Sequence, residues 1–145
     1  MILPDANLLV YAHDVESHHH AVAVSWFREL LKGSEPLALA WITILAFVRI
    51  TTRPKVLSQP LLMSEAAAVV NDLLARSQVL LLHPGGRHWT ILRELLFEGQ
   101  ATGNLVMDAH LAALAIEHGA LLCTTDRDFA RFPGLRWENP LQKTT

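Results

Sequence analysis

An α/β fold built on a mainly parallel central sheet is the architecture this sequence predicts, and three observations predict it. Short apolar runs alternate with segments of helical spacing, glycine and proline fall between them as turn markers, and no stretch repeats or drops in complexity. With 145 residues, 51% of them hydrophobic, residues 1–145 are expected to form a single domain with a core of its own.

Each element follows from local pattern. A first strand is expected over residues 1–3, halted by Pro4 and followed at once by Asp5. Ser17 opens a helix with apolar positions at Ala21, Val24, Phe27, Leu30 and Leu31, which stops at Gly33. A second strand over 37–39 precedes a helix over 42–51, which breaks before Pro54 because proline pushes the residue ahead of it out of the helical region. Ser64 is expected to cap the next helix, with Val69, Val70, Leu73 and Leu74 along one side. The third strand, 79–82, closes at Pro84 and Gly85. A helix over 87–97 then stops at Gly99, a loop runs to Asn104, and a helix over 105–118 ends at Gly119. The fourth strand spans 120–124, and a short last strand lies near 135–137.

Charge and cysteine content narrow the function classes. A formal net charge of −2 excludes a protein that holds nucleic acid through phosphate neutralisation alone. Cys123 is the only cysteine, so no internal disulfide forms, and a reducing, cytoplasmic setting without a secretory signal is expected. The apolar run over 37–48 is interrupted by Thr43 and falls short of the roughly 20 residues that span a bilayer, so no membrane association is expected. Neither a phosphate-binding loop of the G-x-x-x-x-G-K-[ST] type, nor a G-x-S-x-G elbow, nor H-E-x-x-H occurs.

The aspartates carry the chemistry. Asp5 and Asp126 each follow an expected strand, and in open parallel sheets residues beyond the carboxyl ends of strands converge on one crevice. Asp108 lies in the first turn of its helix and shares a face with Leu111, Ala112 and Ala115. A carboxylate facing apolar neighbours is costly unless it is paired or bound to metal, and no Lys or Arg occurs between Gln100 and Cys123. Converging carboxylates of this kind suit Mg²⁺ or Mn²⁺, ions that take oxygen ligands and activate water for attack on a phosphoryl group. The plainer reading makes Asp5, Asp126 and Asp128 helix caps or turn residues, and Asp108 a helix-dipole partner.

These residues carry a resemblance. The chain resembles the PIN-domain superfamily and, within it, VapC-type toxins of bacterial type II toxin–antitoxin pairs. The likeness rests on Asp5-Ala6-Asn7-Leu8-Leu9, on Phe47-Val48-Arg49-Ile50-Thr51-Thr52 with Pro54, on Gly103-Asn104-Leu105-Val106-Met107-Asp108-Ala109, and on Thr124-Thr125-Asp126-Arg127-Asp128-Phe129. It implies a three-layer α/β/α PIN-like fold and an Mg²⁺- or Mn²⁺-dependent endoribonuclease that cuts tRNA or rRNA and inhibits translation. It also implies a cognate VapB-like antitoxin and a homodimer. Carried over by position, Asp5, Asp108 and Asp126 are the catalytic and metal-binding acids, with Asp128, Thr125 and Asn7 supporting them. One departure stands out: Ala46 occupies the place of a usual family glutamate, so a non-catalytic or weakly active module that binds RNA or the antitoxin is the competing reading.

Arginine and histidine complete the reading. Nine of the 12 basic residues are arginine. Arg49, Arg53 and Lys55 at the end of the second motif, with Arg127 after Asp126, are candidate contacts to RNA phosphates. Consecutive His18, His19 and His20 point in different directions along a helix and are expected to be solvated there. His83 and His88 are expected to be exposed around the turn at Pro84, and Cys123 to be a buried small residue. The four tryptophans are expected in the core or at a subunit interface.

Overall fold

The computed structural model describes residues 1–54 and 56–142. In chain order the described elements are β1 (Ile2–Pro4), α1 (Ala6–His13), α2 (His20–Lys32), β2 (Leu37–Ala40), α3 (Trp41–Thr52), α4 (Met63–Leu74), β3 (Val79–Leu82), α5 (His88–Glu98), α6 (Leu105–His118), β4 (Leu121–Cys123), a 3-10 helix (Arg127–Arg131) and β5 (Trp137–Glu138). The strands form one five-stranded parallel sheet in the order β3-β2-β1-β4-β5.

Strand alternation divides the core into two layers of helix around the sheet. Leu3, Ala38, Ala40, Leu82 and Leu122 point to the side covered by α5 and α6, where Leu111, Ala112, Leu114 and Ala115 meet them. Leu39 and Cys123 point the other way, toward Leu8 and Leu9 of α1, Phe27 of α2 and Phe47 of α3. The result is the expected three-layer α/β/α arrangement. Among the described residues, no helix is long and apolar enough to cross a membrane.

Several local expectations needed correction. α1 was not expected, because Ala6-Asn7-Leu8-Leu9-Val10-Tyr11-Ala12-His13 packs against α2 on one side and α3 on the other and so lacks a clean polar face. The helix expected from Ser17 starts at His20, and Ser17 forms the preceding turn, its Oγ accepting the His19 N–H at 3.1 Å. Ser64 is not a cap. Leu62 stands there, and Glu65 Oε1 reaches back to accept the Leu62 N–H at 2.9 Å. The segment after Asp126, for which the pattern named no element, winds into the 3-10 helix that Asp126 caps. The expected ranges for β3 and α6 match the structure, and Gly119 ends α6 at φ 68°, a left-handed conformation that favours glycine.

Two histidine expectations also changed. His88 is buried, not exposed, and its Nε2 lies 2.9 Å from Nδ1 of His110 on α6, so one ring donates to the other. Its fixed place follows from the close packing of α5 on α6, which alternation in sequence did not reveal. His18 and His19 are exposed, whereas His20 is held by a 2.8 Å hydrogen bond to the Tyr11 carbonyl.

Candidate active site

The strand order fixes where a site forms. From central β1 the chain winds outward through β2 to β3, then returns to place β4 on the opposite side of β1. Ligands in open α/β sheets bind beyond the carboxyl ends of strands at such a reversal. Asp5 leaves β1 and Asp126 follows β4 two residues after Thr124, so both stand at the reversal.

A single hydroxyl ties them together. Thr124, fully buried, donates its Oγ1–H to Asp5 Oδ2 at 2.9 Å and accepts the Asp126 N–H at 3.0 Å. Asp5 Oδ1 accepts the Ala6 N–H at 2.7 Å, so this carboxylate also caps α1. Asp126 Oδ1 accepts the Asp128 N–H at 2.8 Å and opens the 3-10 helix. The plainer capping reading is therefore true of both residues, and it does not compete with a functional one. Asn7 donates to Thr125 Oγ1 at 3.2 Å and links the start of α1 to the segment after β4.

Asp108 approaches from α6, with Ala109, Leu111 and Ala112 buried behind it. Burial pushes its pKa up to about 6, and the charges of Asp5, Asp126 and Asp128 push the same way, while Arg131 opposes them. The Asp5 carboxyl is raised too, chiefly by burial, against the Thr124 and Ala6 hydrogen bonds that favour its charged form. The charges of Asp5, Asp126 and Asp128 thus all reach Asp108, and that of Asp126 also reaches Asp5. The sequence offered no nearby cation for Asp108, yet Arg131 supplies one from 23 positions later, held by the carbonyls of Gly99 at 2.9 Å and Asp128 at 3.2 Å.

Asp5 and Asp108 line a crevice of about 650 Å³, which α3 borders on the opposite side with Thr43, Ala46 and Arg49. Asn104, at the start of α6, also lines it. Asp126 and Asp128 are not among the residues lining it, and they act on Asp108 through charge. Arg53 and Arg127 are exposed at the end of α3 and the start of the 3-10 helix, and neither lines the crevice. Lys55 lies outside the described residues. Sequence reasoning chose Thr125 and missed Thr124. The signal was a threonine two positions before an aspartate, the spacing at which a hydroxyl accepts a backbone N–H.

Among the described residues, no three His, Cys, Asp or Glu side chains are arranged as a ready metal cage. The donor set nevertheless fits a hard divalent ion. Carboxylates that raise one another's pKa accept a cation as the partner their surroundings lack. Mg²⁺ usually binds through few protein carboxylates and keeps several waters, so no closed cage is required.

Comparison with known proteins decides the family. The PIN-domain family profile matches residues 2–135. The chain belongs to the PIN-domain family. The chain is similar to VapC ribonucleases: it is 41% identical over 140 residues to Ribonuclease VapC37 of Mycobacterium tuberculosis, covering 97% of each chain. It is 39% identical over 145 residues to Ribonuclease VapC43 of the same organism, covering 100% of this chain and 99% of that one. Among solved structures, VapBC2 from Rickettsia felis bound to a promoter DNA fragment shares this PIN fold with a TM-score of 0.66 at 22% identity, covering 96% of this chain and 98% of that one. VapC20 of Mycobacterium tuberculosis, described as a sarcin–ricin loop cleaving toxin, shares it with a TM-score of 0.66 at 16% identity, covering 94% and 99%.

Proposed function

We propose that this PIN-domain protein is a divalent-metal-dependent endoribonuclease and the toxin of a VapBC-type pair. The observation that carries the reading is the convergence of Asp5 and Asp126, beyond β1 and β4, with Asp108 in the first turn of α6, in a chain about 40% identical to ribonucleases over its full length. Asp5, Asp108 and Asp126 hold Mg²⁺ or Mn²⁺. When bound, such an ion makes water a better nucleophile and neutralises charge developing on the phosphoryl group. Thr124 fixes the orientation of Asp5 while Asp128, Thr125 and Asn7 support the segment that carries Asp126. Arg49 lines the crevice with Asp5 and Asp108, and exposed Arg53 and Arg127 contact the RNA backbone outside it.

The substrate in this reading is structured RNA of the translation apparatus, tRNA or rRNA, and its cleavage inhibits translation. A VapB-like antitoxin silences the toxin, as the co-complex from Rickettsia felis suggests by analogy. Exposed Trp41, Leu45, Trp89 and Phe97 give apolar surface for antitoxin or for a second copy in a homodimer. The non-catalytic reading rested on Ala46, and the three remaining aspartates favour catalysis over it. Induced expression of wild type without antitoxin arrests growth and leaves new RNA ends that sequencing maps to one class of RNA. Expression of Asp126→Asn does neither. Equal arrest and equal cleavage by Asp126→Asn would reject the assignment.

A further inference from the structure

The two walls of the crevice differ in chemistry. Every carboxylate at the site comes from β1, α6 or the segment after β4. The α3 wall carries none: Thr43, Ala46 and Arg49 succeed one another at spacings of three, on one face of the helix, and all three line the crevice. Arg49 is exposed and forms no hydrogen bond or ion pair among the described residues. Thr43 is 2% exposed, and its Oγ1 has no hydrogen-bond partner. A buried hydroxyl without a partner is uncommon in folded proteins and calls for an explanation.

We propose that the crevice is divided by function, with a single divalent ion on the aspartate wall and an RNA phosphate seated on the α3 wall by Arg49 and Thr43. This rests on the endoribonuclease reading above and goes further by fixing the number of ions and the seat of the phosphodiester. A second ion would need anionic ligands on the facing wall, where Ala46 offers a methyl group and Arg49 a positive charge. Asp5 already accepts one hydrogen bond on each oxygen, and Asp126 Oδ1 is engaged by the Asp128 N–H, which limits the oxygens free for two ions. A guanidinium presents paired donors that match two oxygens of one phosphate. The Thr43 hydroxyl is the second donor on that wall, and phosphate would satisfy it.

The test counts ions and separates binding from turnover. Mn²⁺ is titrated into the purified full chain by calorimetry and electron paramagnetic resonance, for wild type, Asp5→Asn, Ala46→Glu and Arg49→Gln. Steady-state cleavage of an RNA substrate gives KM and kcat for wild type, Arg49→Gln and Thr43→Val. The proposal expects one Mn²⁺ per wild-type chain, none or a much weaker one in Asp5→Asn, and tighter or additional Mn²⁺ in Ala46→Glu. Arg49→Gln should keep one Mn²⁺ at undiminished affinity while KM rises about tenfold or more, the scale of one lost charge-assisted hydrogen bond. Thr43→Val should raise KM without lowering the melting temperature, because it deletes a hydroxyl that has no partner in the free protein. Two ions in the wild-type chain, or an unchanged KM in Arg49→Gln or in Thr43→Val, overturn this proposal and leave the nuclease reading standing. No bound Mn²⁺ in wild type, or equal Mn²⁺ binding in Asp5→Asn, overturns both.

Discussion

At the scale of single residues, one hydroxyl does more to shape the site than its place in the sequence suggests. Thr124 bonds a carboxylate leaving one strand and the backbone following another, so Thr124→Val should cost about 1–3 kcal/mol in stability and weaken Mn²⁺ binding. Thr124→Ser should restore most of both, as thermal unfolding and metal titration would show. Asp108 sets the pH response. Its pKa of about 6 lies above the ordinary 3.8, so between those values the folded chain keeps a proton that the unfolded chain releases. Its contribution to stability is therefore fully present below about pH 4 and lost as pH rises through about 6. Ion-free protein should lose stability over that window, and Asp108→Asn should flatten the profile in a series of melting curves. The same proton competes with metal, so Mn²⁺ affinity should rise from pH 5 to pH 7. Cys123 is the counterpart: burial pushes its thiol up to about 12, with Glu138 adding to the shift. It should ignore a thiol reagent at pH 8 until urea unfolds the chain.

At the scale of elements, legibility depended on length and on end signals. α6, buried on nearly every side from Leu111 to Ala115, was still readable to its ends because it runs 14 residues and Gly119 terminates it. Gly119→Ala should lower the unfolding free energy read from urea denaturation by about 1–2 kcal/mol, and only through backbone strain, since a Cβ there meets nothing within 4 Å. α1 was invisible for the opposite reason: it has only 8 residues, with Leu8, Leu9 and Val10 all buried and no glycine or proline to mark its end. The acids were legible because an aspartate just past an apolar strand is a local signal. Thr43 was not, because an unpartnered hydroxyl is a property of packing that no spacing encodes. His88 was misjudged likewise, its burial arising from contact with His110, 22 positions away.

At the scale of the whole molecule, a small negative net charge no longer argues against RNA. The charge is sorted in space: aspartates gather where the sheet reverses its winding, and Arg49 of α3 lines the same crevice as Asp5 and Asp108. Parallel strand order brings together residues more than 100 positions apart, which is why Asp5 and Asp126 meet at all. The central claim is that these aspartates make a metal-dependent nuclease. Its most direct measurement is cleavage of purified RNA by antitoxin-free protein, treated with EDTA and then resupplied with Mg²⁺ or Mn²⁺, for wild type beside Asp108→Asn. The account predicts cutting that stops with EDTA, returns with the metal, and falls by at least about 100-fold in the variant, as loss of a few kcal/mol of transition-state stabilisation requires. Cleavage that persists in EDTA, or that Asp108→Asn performs as fast as wild type, would contradict it.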